Sequence, residues 1–376
     1  MSESLSPRPT IGTAAGRWAG LGPYYAMFPI GFAFDVVQRY SQPGQRVLDP
    51  FAGRASSVYA ASVEGRFGCG IEINPVGYLY GKVKLDPAPP AAVLARLVEV
   101  GRVAAEIEDD RLQELPDFFL ACYTPHVLRY LLAARSVLAW DVDQTDATLM
   151  AIILVHLHGK REGSLSNQMR QGKAMSPDYS VRWWNAHNLT PPDVDPVEFL
   201  TRKVAWRYAK GLPLQAGGEV VLGDSLEQLN TLVAHVEQGK SEPFDLLFTS
   251  PPYYDITDYH YDQWLRLWML GGPSWPTHRR EGAYRGKFQS KSAYQELLTG
   301  VFDSCARLLA PNATVYVRTD RRDFTYQTTN AALQAAFPDK VVEELPQPFT
   351  SSTQTALYGD KETKPGEVDI ILRPSA

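Results

Sequence analysis

Strand-like apolar runs recur near 46–49, 68–73, 219–222, 244–248, 313–318, 340–345 and 368–372, with helical periodicity between most of them. Apolar runs separated by helices predict a largely parallel sheet covered on both faces. The last two runs predict an antiparallel finishing pair. From Leu85 to about Gly218 the pattern changes. A Pro-rich opening, Asp86-Pro87-Ala88-Pro89-Pro90, leads into helical runs and then into a polar stretch rich in Gly, Ser and Asn. The block predicts a largely helical domain inserted over 86–218, with 20–85 and 219–376 as one discontinuous α/β domain and 1–19 as an N-terminal tail. Within the insertion, Thr124-Pro125 opens a helix with Val127, Leu128, Leu131 and Leu132 on one face. Ala147 to Leu157 is the most apolar stretch and reads as a buried helix, begun near Asp146 and stopped by Gly159; it is too short to cross a bilayer.

Candidate chemistry gathers at the ends of these strands. Phe244 to Phe248 is followed by Thr249-Ser250-Pro251-Pro252-Tyr253. Two successive prolines remove two N–H donors and forbid a helical exit, so the chain leaves in a fixed extended turn with its carbonyls available as acceptors. A hydroxyl, a carbonyl and an aromatic ring are the groups that grip the amine of a planar base and stack on it. Tyr254 and Asp255 extend that edge. Upstream, Arg46 to Asp49 reads as a strand, Pro50 to Ala55 as a tight turn and Ser56 to Ser62 as the start of a helix. The next strand ends on Glu72, about 20 residues beyond the glycine turn, the spacing at which nucleotide folds hold a ribose diol. The turn has Gly53 alone where a dinucleotide fingerprint has further glycines, which favours a cofactor without phosphates. S-adenosylmethionine fits that description.

These motifs, in order, resemble those of the S-adenosylmethionine-dependent DNA amino-methyltransferases, the cytosine-N4/adenine-N6 family of Ser-Pro-Pro-Tyr type. The resemblance is carried by Asp49-Pro50-Phe51-Ala52-Gly53, Gly70-Ile71-Glu72-Ile73-Asn74-Pro75, Val221-Leu222-Gly223-Asp224-Ser225 and Thr249 to Tyr253. Tyr24 to Ile30, with Phe28 and Pro29, resembles the family's segment over the cofactor. The resemblance implies a Rossmann-like, seven-stranded, mostly parallel methyltransferase sheet. It implies Ser250, Pro251, Pro252 and Tyr253 as the catalytic tetrad. It also implies Asp49 and Gly53 at the methionine end of the cofactor, Glu72 at its ribose, Asp224 at its adenine, and Phe51 and Ile73 as apolar walls. Ala55 departs from the pattern, standing where the family usually has a second glycine, and a negative φ there would accommodate it.

An Asp at a strand end also commonly caps the next helix, the plain alternative for Asp224. The stretch Thr257 to Leu270 is expected to be one helix, mostly core, with Tyr259 and Asp255 nearest the flipped base. Double-stranded DNA is the expected partner, with room for a cognate restriction endonuclease. Ser at the first tetrad position favours cytosine-N4 over adenine-N6. An RNA base amine, or a non-catalytic recognition subunit, remains open.

With 37 Lys and Arg against 42 Asp and Glu, the net charge of −5 runs against the basic footprint usual for nucleic-acid binding. Its distribution softens the objection. Acidic residues gather at Glu106 to Asp117, and basic ones at Lys160, Arg161, Arg170, Lys173 and Arg182. A second basic group, Arg279, Arg280, Arg285, Lys287 and Lys291, falls around the Gly271–Ser290 loop, placed to close on DNA. Of the segment 163–188, Ser166, Asn167, Gln168, Arg170, Gln171 and Lys173 are candidates to read base edges and phosphates and Trp183, Trp184 and His187 to stack, the tryptophans alternatively packing back onto the catalytic domain. His156-x-His158, on an apolar helix, is expected to pack and not to bind metal. Three unpaired cysteines, Cys69, Cys122 and Cys305, and no secretory pattern fit a cytoplasmic protein without structural zinc.

Overall fold

The computed structural model describes residues 7–23, 28–255, 258–276, 290–347 and 366–375, the side chain of Tyr259 excepted. Seven strands form one sheet in the order β3-β2-β1-β4-β5-β7-β6. They are β1 (Arg46–Asp49), β2 (Phe67–Glu72), β3 (Gly218–Leu222), β4 (Phe244–Thr249), β5 (Leu309–Asp320), β6 (Lys340–Gln347) and β7 (Glu367–Pro374). The first five pair in parallel, and β7 runs antiparallel between β5 and β6. This is the largely parallel sheet the spacing predicts and the Rossmann-like one the resemblance implies, with strand ends within a few residues of those expected. The order reverses between β1 and β4, and their carboxyl ends therefore flank the crevice where open α/β sheets bind ligands.

Helices α1 (Ala14–Ala19), α2 (Ile30–Tyr40), α3 (Ser56–Val63) and α4 (Pro75–Leu85) precede the helical block. That block holds α5 (Pro90–Ala105), α6 (Asp109–Gln113), α7 (Asp117–Cys122), α8 (Pro125–Val137), α9 (Gln144–His156), α10 (Pro177–Ala186) and α11 (Pro196–Tyr208). After it come α12 (Ser225–Glu237), α13 (Tyr259–Asp262), α14 (Trp264–Met269), α15 (Lys291–Leu308) and α16 (Asp323–Ala336). The starts follow local chemistry: the Thr124 hydroxyl caps α8 and the Asp143 carboxylate caps α9. Among the described residues no helix is long and apolar enough to cross a membrane.

Because side chains alternate along a strand, Val47 and Leu48 enter different cores. Val47, Leu246, Phe248 and Tyr316 meet α1 to α4 and the helical block in one continuous apolar cluster. Leu48, Ile71, Leu247 and Val315 meet residues of α12, α15 and α16 on the other face. The seam predicted on α8 belongs to the first cluster and is continuous with the sheet.

Two expectations change. Residues 14–19 of the expected tail form α1, whose Trp18 is fully buried and whose Ala15 carbonyl accepts from Tyr59 Oη at 3.0 Å. The helix expected over 257–270 is instead α13 and α14, broken at Gln263; residues 256–257 lie outside the described residues.

Helix α3 lies directly against β2 at Gly68, where an added Cβ would come within 2.6 Å of the Val58 carbonyl. Backbone cannot give way there as a side-chain tip can. Gly68→Ala is expected to destabilise the protein by roughly 1–3 kcal/mol, read as a lower urea midpoint at unchanged m-value.

Candidate active site

Asp49 ends β1 with its side chain only 1% exposed. Oδ1 accepts from the Phe51 N–H at 3.1 Å and from the Thr249 hydroxyl at 2.6 Å, and Oδ2 accepts from the Ser57 hydroxyl. One carboxylate thus ties the turn after β1 to the start of α3 and to the end of β4. Burial raises the Asp49 carboxyl to about 6, against the downward pull of the Ser57, Thr249 and Phe51 bonds. The turn is tied further by Ser225 Oγ donating to the Pro50 carbonyl at 2.6 Å and by Ala52 N donating to Ile71 O at 2.9 Å.

Glu72 closes the other side of the turn. Oε2 accepts from Gly53 N at 2.7 Å and Oε1 from Asn74 N at 2.8 Å. Gly53 sits at φ 55, which glycine adopts without strain. Helix α4 presses in at Gly77, where a Cβ would meet the Gly53 carbonyl at 2.5 Å. Burial pushes the Glu72 carboxyl up to about 8 despite its two backbone donors. Ala55 overturns the expectation of a negative φ. It stands left-handed at φ 57, ψ 44 as the N-cap of α3, at a cost of about 1–2 kcal/mol. The tight turn requires it, since Ala55 N donates to Ala52 O at 2.7 Å within that turn.

Asp224 caps α12, its Oδ1 accepting from Leu226 N at 3.0 Å and Glu227 N at 3.3 Å. The capping alternative is therefore what one oxygen does. Phe51 and Ile73 are half-buried beside the turn, Phe28 stacks on Phe248 of β4 with centroids 4.8 Å apart, and Pro29 is the exposed N-cap of α2.

After the buried Thr249, Ser250 and Tyr253 are half-buried and Pro251 is buried. The Tyr253 hydroxyl donates to Glu367 Oε1 at 2.9 Å, and Ser250 Oγ lies 3.5 Å from it. The Pro252 carbonyl accepts from the Tyr294 hydroxyl at 2.9 Å. Tyr254 packs edge-on against Tyr294 and Phe324, while Asp255 is exposed at φ 58. Glu367, Ser57, Ser225 and Tyr294 were not singled out from the sequence. Each acts through a tertiary contact, although Ser57, one helical turn past the glycine turn, carried a weak local signal.

The helical block meets α13 and α14 through its segment 171–175. Lys173 Nζ pairs with Asp262 at 2.5 Å, Ala174 N donates to Asp262 O at 2.9 Å, and Trp264 Nε1 donates to Met175 O at 3.2 Å. Arg266, fully buried, donates to Leu154 O at 3.1 Å, Gln263 Oε1 at 2.6 Å and Gln171 O at 2.5 Å. Arg170 is half-buried, and its carbonyl meets His158 Nδ1 at 2.7 Å.

Several recognition candidates are structural. Ser166 and Asn167 are fully buried, and the Asn167 amide donates to Ala121 O at 3.3 Å and Leu189 O at 3.1 Å. Trp184 is buried with Nε1 on Gln168 O at 2.6 Å. Trp183 stays half-buried, stacked on the exposed His187 at 4.4 Å. Arg279, Arg280, Arg285 and Lys287 lie outside the described residues, as do Tyr24 to Met27.

No family model and no curated protein matches the chain. Among solved structures it is similar to an rRNA methyltransferase, aviRa, from Streptomyces viridochromogenes, at 13% identity and a TM-score of 0.35 over 95% of this chain and 90% of that one. It is similar to a SAM-dependent methyltransferase from Agrobacterium tumefaciens at 9% identity and a TM-score of 0.38, over 93% of this chain and 63% of that one. It is also similar to TrmN from Thermus thermophilus at 11% identity and a TM-score of 0.33, over 95% and 52%. Likeness of this size decides neither substrate nor cofactor, and the fold stands on the strand order.

The raised Glu72 carboxyl makes a pH prediction. Its folded value, about 8, lies above the ordinary 4.5, so between those values the folded protein holds a proton the unfolded chain has lost. The Glu72 contribution to stability therefore falls as pH rises through that window. Relative to wild type, Glu72→Gln is expected to gain on the order of 2 kcal/mol between pH 6 and pH 9, measured by urea unfolding at each pH.

Proposed function

We propose that this protein transfers a methyl group from S-adenosylmethionine to the exocyclic amine of a nucleic-acid base, N4 of cytosine in double-stranded DNA being the leading target. The observation that carries the reading is the 2.6 Å bond from Thr249 to Asp49, which sets Ser250 to Tyr253 beside the turn closed by Glu72.

The residues present fit such a cofactor. The turn is lined by acceptors, Asp49, Glu72 and Asp224, suited to hydroxyl and amino groups. Arg54, the cation next to Gly53, is committed to the Gly22 carbonyl at 2.9 Å and to Ser56 at 3.2 Å, leaving no reason to expect a pyrophosphate on it. Gly77 lets α4 close on the turn, since an added Cβ there would come within 2.5 Å of the Gly53 carbonyl. Asp49 and Gly53 would hold the methionine end, Glu72 the ribose hydroxyls and Asp224 the adenine amine, between Phe51 and Ile73. When bound, the cofactor supplies an electrophilic sulfonium methyl group.

The chain's own residues prepare the nucleophile. A base amine is weak because its lone pair is delocalised into the ring. Ser250 Oγ and the Pro251 carbonyl, each accepting one amino hydrogen, draw the nitrogen toward tetrahedral geometry and localise that lone pair. Alignment and fixed dipoles do most of the work, and no strong base is needed. The Tyr253 ring stacks on a base rotated out of the duplex, since the amine cannot be reached in line within a base pair. Tyr254 and Asp255 border that position, and Arg170 and Lys173 are the basic residues of the helical block assigned to the nucleic acid.

Nucleoside mass spectrometry on DNA and RNA, treated separately with protein and labelled S-adenosylmethionine, tests the proposal. Labelled N4-methylcytosine in DNA is expected. N6-methyladenine moves the base assignment, label in RNA alone moves the substrate, and no label in either overturns the reading. Ser250→Ala is expected to lower transfer roughly 100-fold or more with cofactor affinity unchanged. Glu72→Ala is expected to weaken cofactor binding about tenfold through the lost hydrogen bonds to the ribose hydroxyls. Equal loss of cofactor binding in both variants would overturn this division of roles.

A further inference from the structure

The hydroxyls of Ser250 and Tyr253 belong to a directed chain that ends on a residue of β7, two strands from β4. Tyr253 Oη donates to Glu367 Oε1 at 2.9 Å, and Ser250 Oγ lies 3.5 Å from Tyr253 Oη. A phenol has one hydrogen, so once it is given to a carboxylate the phenol oxygen can only accept. Among the described residues Ser250 is the donor within reach, and it too has one hydrogen. With that hydrogen turned toward Tyr253, both lone pairs of Ser250 Oγ remain as acceptors.

The far end of the chain is held in place. Glu367 is the first residue of β7, and its Oε2 faces Arg318 Nη1 at 3.7 Å. Arg318 is itself fixed to Asp369 through Nε at 2.6 Å and Nη2 at 2.8 Å, and its guanidinium lies 3.6 Å from the Phe32 ring centroid. A guanidinium cannot accept, so Arg318 does not reverse the chain. Burial and the Glu367 charge hold the Tyr253 hydroxyl well above its ordinary value, which keeps it a donor.

We propose that Glu367 is a specificity-determining positioning residue: acting through Tyr253, it fixes Ser250 as a hydrogen-bond acceptor, so that the site takes a base edge presenting an amine and rejects one presenting a carbonyl. The inference rests on the reading of Ser250 as the group that meets the base amine. A carbonyl at that position would set acceptor against acceptor with both oxygens removed from water, the arrangement by which polar sites discriminate most strongly.

Glu367→Gln tests it, because a carboxamide can donate. With its carbonyl toward the Arg318 guanidinium, which only donates, its N–H faces Tyr253 and turns Oη into an acceptor, Tyr253 then donates to Ser250, and Ser250 presents its hydrogen to the base. Methyl transfer to the duplex that wild type modifies is expected to fall roughly 10- to 100-fold in kcat/KM, with S-adenosylmethionine affinity unchanged. The same duplex with a carbonyl base at the target position is expected to bind Glu367→Gln better, relative to the amine duplex, than it binds wild type. In a Tyr253→Phe background, which cuts the chain, adding Glu367→Gln is expected to change neither quantity. Wild-type kcat/KM with an unchanged amine-to-carbonyl preference in Glu367→Gln would overturn the inference. So would an effect of equal size in the Tyr253→Phe background, which would mark a merely structural role. A wild-type protein that methylates neither DNA nor RNA overturns the underlying reading and this inference with it, and the wild-type control alone distinguishes that failure.

Discussion

The Asp49 carboxylate is the constraint on which the rest of the site depends. A charge-bearing group taken almost wholly out of water is costly unless hydrogen bonds replace its hydration. Here the replacements come from Phe51, Ser57 and Thr249, and so from three different parts of the chain. Satisfying one buried group therefore fixes the turn after β1, the entry to α3 and the end of β4 in a single arrangement. The same demand explains the left-handed Ala55: once the turn must fold back tightly enough to present Phe51 and Ser57 to one carboxylate, local backbone strain is the smaller cost.

The two halves of the site differ in chemical character. Around the turn, Asp49, Glu72 and Asp224 gather oxygen acceptors, with backbone N–H groups of Gly53 and Asn74 opposing Glu72. At the tetrad, the hydroxyls of Ser250 and Tyr253 lead to β7, the antiparallel strand, at Glu367. A parallel sheet brings its strands' carboxyl ends to one edge. An antiparallel strand adds its amino end at that same edge, which is how the first residue of β7 comes to face the end of β4.

Local chemistry made much of this legible in the sequence. Asp49, Gly53 and Glu72 were readable because strand, turn and strand are close together and each residue type has a backbone reason to be there. The Pro-Pro pair after Phe248 announced itself for the same reason. Glu367 could not be found that way: it lies 114 residues beyond Tyr253, and only the folded sheet joins them. Ser166 and Asn167 misled because a polar side chain on a loop looks alike whether it waits for a partner in solvent or satisfies buried carbonyls. Trp18 was overlooked because α1 is too short to show periodicity, although tertiary packing buries it completely.

Arg266 of α14 joins the segment after β4 to the helical block by carrying its guanidinium to carbonyls of α9 and of Gln171. Anyone transplanting the block onto another scaffold would therefore find its boundaries misplaced if they were drawn at 86 and 218. A cassette cut there would leave the carbonyls of Leu154 and Gln171 bare in one protein and a buried guanidinium in the other. The exchangeable unit is discontinuous and includes α14, so an ancestral or engineered swap has to move both pieces together.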